Sequence, residues 1–202
     1  MQEQAEFMAA LIENLLSLSK IELNHDQRPD ETVDVLEIAE DVAASLSQKA
    51  AERKIKIKID FEDNVPEITA DKAQIRQLLQ NLTDNAVKYG VSQSEVKIGI
   101  SKAAAIPLSK SHKVAAGEAV AISVNNKGTK ISPEDLTRLT ERFYRMQEHK
   151  DLNIRGTGLG LSIAKQIILR HRGNLTVTST SYNGTTFTIY LPVSQEEDIT
   201  AA

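Results

Sequence analysis

With 202 residues, 41% of them hydrophobic, the chain is long enough for one domain with an aliphatic core and an appendage. A net charge of −4 without a long basic run argues against nucleic-acid binding. The absence of cysteine excludes disulfides, thiolate nucleophiles and Cys-ligated metals. No apolar run approaches the ~20 residues needed to cross a membrane, and no signal peptide is visible.

Residues 1–23 read as one helix. Met8, Leu11, Leu15 and Leu18 fall at the 3-4-3 spacing of a coiled-coil seam, widened by Ile12, Leu16 and Ile21. A lone helix of this length is marginal in water. The stripe is therefore expected to pair with another chain or with a partner helix; docking on its own domain is the alternative. The chain reads as opening inside this helix, as a truncated hairpin would. Residues 24–33 are a polar, Pro-containing linker. Asp34 and Glu37 form a capping-box start for a helix with Leu36, Ile38, Ala39, Val42, Ala43 and Leu46 inward. Residues 54–61 (KIKIKIDF) alternate as a strand with one buried face. Asp71 opens the next helix, which runs to Tyr89. At about 100° per residue, Ile75, Leu78, Leu82 and Ala86 share an apolar face, while Asn81, Asn85 and Lys88 share a neighbouring stripe. That stripe is either a solvated flank or a site where amide oxygens meet a hard cation and lysine meets phosphate.

Residues 96–100 and 119–124 read as strands joined by a long connection without recognisable chemistry. Residues 125–128 form a turn. Ser132-Pro133-Glu134-Asp135 is a helix start, and residues 141–145 are expected to close that helix. The polar stretch 146–155 is a candidate lid. It leads into Gly156-Thr157-Gly158-Leu159-Gly160-Leu161, three alternate glycines that run into the helical pattern Ile163, Ala164, Ile167, Ile168. Glycine permits positive φ and close approach, and a helix N-terminus offers free N–H groups and a favourable dipole. The pair suits a phosphate, the alternative being an ordinary tight turn. His171-Arg172-Gly173 ends the helix, residues 175–180 and 185–191 form a hairpin around Asn183-Gly184, and 195–202 are an acidic tail. Segregated helices and strands imply an α+β, two-layer sandwich: a mixed sheet with helices on one face, occupying residues 34–194.

Four stretches carry a resemblance. Residues 81–89 (NLTDNAVKY) resemble the N box of sensor histidine kinases, residues 141–145 (ERFYR) the F box, residues 156–161 (GTGLGL) the second glycine box, and residues 184–187 (GTTF) the final Gly-Thr turn. Residues 15–22 (LLSLSKIE) resemble the second helix of the family's dimerisation and histidine-phosphotransfer hairpin. With residues 170–173 (RHRG), that wording is most like phosphate-regulon sensor kinases. The resemblance implies the ATP-binding sandwich that these kinases share with gyrase, a heat-shock chaperone and a mismatch-repair ATPase. It assigns Mg²⁺ to Asn85, support of the metal and phosphates to Asn81, and phosphate or nucleotide contacts to Lys88 and Tyr89. Asp84 would assist proton removal from the acceptor imidazole. Gly156, Thr157, Gly158, Leu159, Gly160 and Leu161 would meet the phosphates, with Thr185 beside them, Phe143 anchoring the lid and residues 146–155 forming it.

The sequence departs from the family in two places. The first glycine box, Asp-x-Gly-x-Gly in the family, reads Asn126-Lys127-Gly128-Thr129-Lys130 here. Asn126 can still accept the adenine amino hydrogen but without charge assistance, at a loss of ~1 kcal/mol. Lys130 would be strained if its position needs φ > 0. Neither His25, His112, His149 nor His171 has the context of a phosphoacceptor. The resemblance thus implies an ATP-binding catalytic region that phosphorylates a histidine on a partner hairpin helix and thence a response regulator receiver domain. It also implies ATP/ADP and Mg²⁺ as ligands and no nucleic acid. The parent would be a homodimer anchored in the bacterial inner membrane, with this part cytoplasmic. The alternative is a degenerate, non-catalytic nucleotide-binding or response-regulator-docking module. A stand-alone ATPase is disfavoured, because Asn81 stands where those ATPases use glutamate.

Overall fold

The computed structural model describes residues 2–23, 29–107, 118–147 and 156–194. His25, His112, His149, most of the expected lid (148–155), the centre of the long connection (108–117) and the tail (195–202) lie outside the described residues.

After helix α1 (Gln2–Leu23), the chain forms β1 (Glu31–Val33), α2 (Val35–Glu52), β2 (Lys56–Phe61), β3 (Ile68–Ala70) and α3 (Lys72–Tyr89). Strands β4 (Glu95–Ala103) and β5 (Ala119–Asn126) follow, then α4 (Pro133–Arg138), α5 (Gly160–Arg170), β6 (Asn174–Thr180) and β7 (Gly184–Pro192). Five strands make one sheet in the order β2-β4-β5-β7-β6, and β1 pairs with β3 in a small second sheet. The β2–β4 pair is parallel and the other ladders of the large sheet are antiparallel. This is the expected mixed sheet, with α2, α3 and α5 layered on it. Its core is aliphatic: Ile38, Ile75, Leu78, Leu82, Ile98, Ile122, Ile163 and Ile167 are fully buried.

The helix starts form as their capping residues dictate. Asp34 accepts the N–H of Leu36, Asp71 that of Gln74 and Ser132 that of Asp135. Helix α2 is fastened along α3 by a ladder that steps four residues on each. Glu37 meets Lys72 at 3.0 Å, Asp41 meets Arg76 at 2.6 Å, Ser45 donates to Gln80 at 3.1 Å, and Lys49 pairs with Asp84. The next step is Arg53, which donates to the Lys88 and Gly90 carbonyls at the C-terminus of α3. Each exposed pair is worth little alone; together they set the register of α3, which carries the residues discussed below.

Four local expectations change. The expected linker 24–33 ends in strand β1, whose Val33 is buried and pairs with Ile68 of β3. Strand β2 begins at Lys56, because Lys54 takes φ 56°. Residues 141–145 do not close a helix: α4 ends at Arg138, and Phe143 sits in a turn with φ 63°. The stripe of α1 is split. Leu18 and Ile21 are buried, Leu11 and Asn14 are half-buried on the same side, and Met8, Ile12, Leu15 and Leu16 face out. The helix thus docks on its own domain, along α5, and leaves an exposed apolar face for pairing.

Candidate functional site

The C-terminal half of α3, the glycine turn before α5 and the ends of β5 and β7 enclose a cavity of about 230 Å³. Helix α3 contributes Asn81, Asp84, Asn85, Lys88 and Tyr89. These share one side of the helix because its other side, through Leu78, Leu82 and Ala86, is committed to the core. The glycine turn contributes Gly156, Thr157, Gly158, Gly160 and Leu161, and the far end Asn126, Gly128, Thr129 and Thr185.

Close packing against backbone explains two of the glycines, Gly158 and Gly184. Gly158 takes φ 73°, and a Cβ there would lie 2.7 Å from the Phe143 carbonyl carbon. Its carbonyl accepts the Phe143 N–H at 3.0 Å. Phe143 therefore holds the turn through its backbone, while its side chain is 55% exposed. A Cβ on Gly156 would lie 2.5 Å from Lys88 Nζ, so the lysine ammonium reaches the turn. Gly184, at φ 74°, lets the β6–β7 turn pass against Asn126, whose carbonyl oxygen would sit 2.1 Å from an added Cβ.

Residues 70–195 match the family described as histidine kinase-, DNA gyrase B- and HSP90-like ATPases. The chain belongs to this family. Among its relatives are the phosphate regulon sensor protein PhoR of Pseudomonas aeruginosa, 32% identical over 96% of this chain and 41% of that protein, and the sensor histidine kinase YkoH of Bacillus subtilis, 34% identical over 92% of this chain and 37% of that one. The chain thus spans less than half the length of these curated relatives. The fold is that of the full-length ShkA structure solved with AMPPNP (TM-score 0.74, 24% identity, 94% of this chain, 36% of that one). It is also that of the catalytic domain of the histidine kinase ThkA (TM-score 0.66, 23% identity, 82% of this chain and 98% of that one).

Within this histidine-kinase-type ATPase domain, the cavity sets the buried cation of Lys88 beside the carboxylate of Asp84. Burial lowers Lys88 to about 8; nearby Asp84 opposes that shift, while Arg145 and Lys49 add to it. The Lys88 ammonium also lies 5.2 Å from the centre of the Tyr89 ring, and burial raises the Tyr89 phenol. Asn81 Nδ2 is buried without a hydrogen-bond partner, and Gly160, the first residue of α5, lies against the Asn81 side chain. Leu159 gives α5 no side-chain cap, so the donors of that helix end are open to water or a ligand. Asp84 is paired with Lys49.

Among the residues nominated for metal, phosphate or nucleotide contact, Leu159 does not line the cavity: its side chain is fully buried in the core. It supplies backbone to the turn, with its N–H donated to Thr157 Oγ1 at 3.3 Å. Lys130 is exposed and has no positive φ, so the expected strain is absent. Ile131, Phe187, Leu139, Tyr144 and Met146 also line the cavity, as does Asn14. Sequence gave no role to the apolar members of this group, because alternation alone does not separate a core position from a ligand wall. Asn14 carried one signal, a polar side chain inside an apolar helical stripe.

Proposed function

We propose that the chain is the ATP-binding catalytic region of a sensor histidine kinase. It binds ATP with Mg²⁺ and directs the γ-phosphoryl to a histidine on a partner hairpin helix, from which a response-regulator receiver domain takes it. The observation that carries this reading is the orphaned buried amide of Asn81 beside the uncapped N-terminus of α5, with the Lys88 ammonium reaching the same glycine turn. A buried donor without a partner is costly in a folded protein, and a helix N-terminus beside it suits a phosphate.

In this reading Asn81, Lys88 and the N–H groups of residues 158–161 hold the phosphates. The three donor types suit phosphate oxygens and would stabilise charge as it shifts between the transferring and leaving groups. Mg²⁺, when bound, would neutralise charge on the phosphates. Among the described residues no group of three His, Asp or Glu side chains could hold a metal by itself. Asn85 fits a Mg²⁺ that arrives with the nucleotide and keeps phosphate and water ligands. Asp84 lines the same wall, and its Lys49 partner would have to release it before it could take the imidazole proton. At the other end Asn126, only 6% exposed, accepts the adenine amino hydrogen between the apolar walls of Ile131 and Phe187. The outward face of α1, with Met8, Ile12, Leu15 and Leu16 exposed, supports pairing with the hairpin helix that carries the acceptor histidine, in a homodimeric parent whose membrane anchor lies elsewhere. This region would then be cytoplasmic.

Calorimetric titration with Mg-ADP tests the reading. Micromolar binding is expected, and no heat at millimolar nucleotide would overturn it. In the same assay Asn126→Asp should tighten binding about fivefold by restoring charge assistance. Lys130→Gly should change nothing, since that residue is exposed and outside the cavity wall.

A further inference from the structure

Helix α1 belongs to no part of the nucleotide-binding sandwich, yet one of its side chains reaches the glycine turn. Asn14 Nδ2 donates to Thr157 Oγ1 at 3.3 Å, and Asn14 lines the cavity. Its position in the helix is unusual. The inward line of α1 is Leu11, Asn14, Leu18 and Ile21, at 3-4-3 spacing, with Leu18 and Ile21 buried and Asn14 the polar member. A polar residue in an apolar seam costs stability and, where it finds one specific partner, fixes register. Sliding α1 along α5 by one turn would move Asn14 about 5.4 Å from its acceptor. Two further contacts agree with this register: Ser17 and Gln77 hydrogen-bond at 2.8 Å, and Glu22 pairs with Arg142, next to the Phe143 backbone that grips Gly158.

Thr157 Oγ1 is the junction. It accepts Asn14 from outside the domain and the Leu159 N–H from within the turn. Both bonds hold the turn in the shape that presents the first donors of α5. We propose that Asn14 is a positioning residue for the nucleotide phosphates: α1, docked in this register, preorganises the second glycine turn through Thr157. The inference rests on the nucleotide-binding reading above. Its consequence is that the setting of α1 and the affinity for nucleotide are coupled, and coupling between two binding events is reciprocal. A shift of α1 out of register weakens nucleotide binding, and bound nucleotide resists that shift.

The test is a double-mutant cycle read by Mg-ADP titration of the full 202-residue chain. Asn14→Ala should raise Kd about three- to tenfold, the range of one lost hydrogen bond. Asn14→Leu, which keeps the seam apolar and α1 docked, should do the same. In a Thr157→Val background neither change should matter, because the acceptor is already gone. An unaltered Kd in both Asn14 variants overturns the proposal. So does an equal increase in the Thr157→Val background, which would mean that Asn14 acts only through packing. Absent binding by the wild-type chain would overturn the nucleotide reading itself; wild-type binding with unaltered variants overturns this inference alone.

Discussion

Lys88 offers a pH-dependent measure of phosphate recognition. Its ammonium is lowered to about 8, chiefly by burial beside Gly156 and α3. The empty site therefore holds a charged lysine in about nine molecules of ten at pH 7 and about one in ten at pH 9. A bound phosphate favours the charged form, so binding above pH 8 must take up a proton. Apparent affinity is full below about pH 7 and declines as pH rises through 8, with Kd about tenfold weaker at pH 9 than at pH 7. A lysine at its ordinary value would give a flat profile over this interval. The ADP phosphate is already ionised there. Burial raises Tyr89 and lowers His171, so both titrate outside the interval. Calorimetry in two buffers of different ionisation enthalpy would count the proton directly. Lys88→Met should weaken binding at pH 7 by about tenfold and abolish the slope. A Kd independent of pH between 7 and 9 in the wild type would refute the reasoning, as would an unchanged slope in Lys88→Met.

Gly158→Ala should destabilise the fold by at least ~1–2 kcal/mol, from positive φ alone, because the new methyl also meets the Phe143 backbone. Gly160→Ala should be tolerated, since its nearest neighbour is the Asn81 side chain at 3.7 Å; urea unfolding of the pair measures the difference, and equal losses would contradict it. His171 supplies a second pH effect. It is fully buried, and Nε2 accepts the Asp71 N–H at 3.1 Å while Nδ1 lies 2.8 Å from the Ile167 carbonyl, which requires the neutral ring protonated at Nδ1. Burial lowers its pKa in the fold, so below about 6.5 the unfolded chain binds the extra proton and stability falls with falling pH. His171→Gln should remove that part of the acid slope in unfolding measured from pH 7 to 5; an identical slope in the variant would count against it.

Much of the architecture was legible in the sequence because it rests on short-range chemistry. Asp34, Asp71 and Ser132 cap the N–H groups two or three residues ahead, and the apolar spacing of α3 sets its inward face wherever the helix is placed. Asn81, Asn85 and Lys88 share a stripe for the same reason of helical geometry. The residues around 141–145 were harder. A run of helix-compatible residues gave no warning that Phe143 would turn to φ 63° and donate its N–H to the Gly158 carbonyl, since that bond joins positions fifteen apart in the chain.

Sequence alone supplied the motif resemblance to the family, and its local spacing and turn chemistry supplied the segregated helices and strands and the polar side of α3. Tertiary structure decided the rest. Leu159 points to the core and not to the cavity. Lys130 takes no positive φ and carries no backbone strain. His171, the C-cap of α5, is buried and ties that helix to the start of α3. The seam of α1 is rotated so that Asn14 meets Thr157. Each outcome depends on which distant segment arrives beside a residue, and residue spacing within one segment carries no information about that.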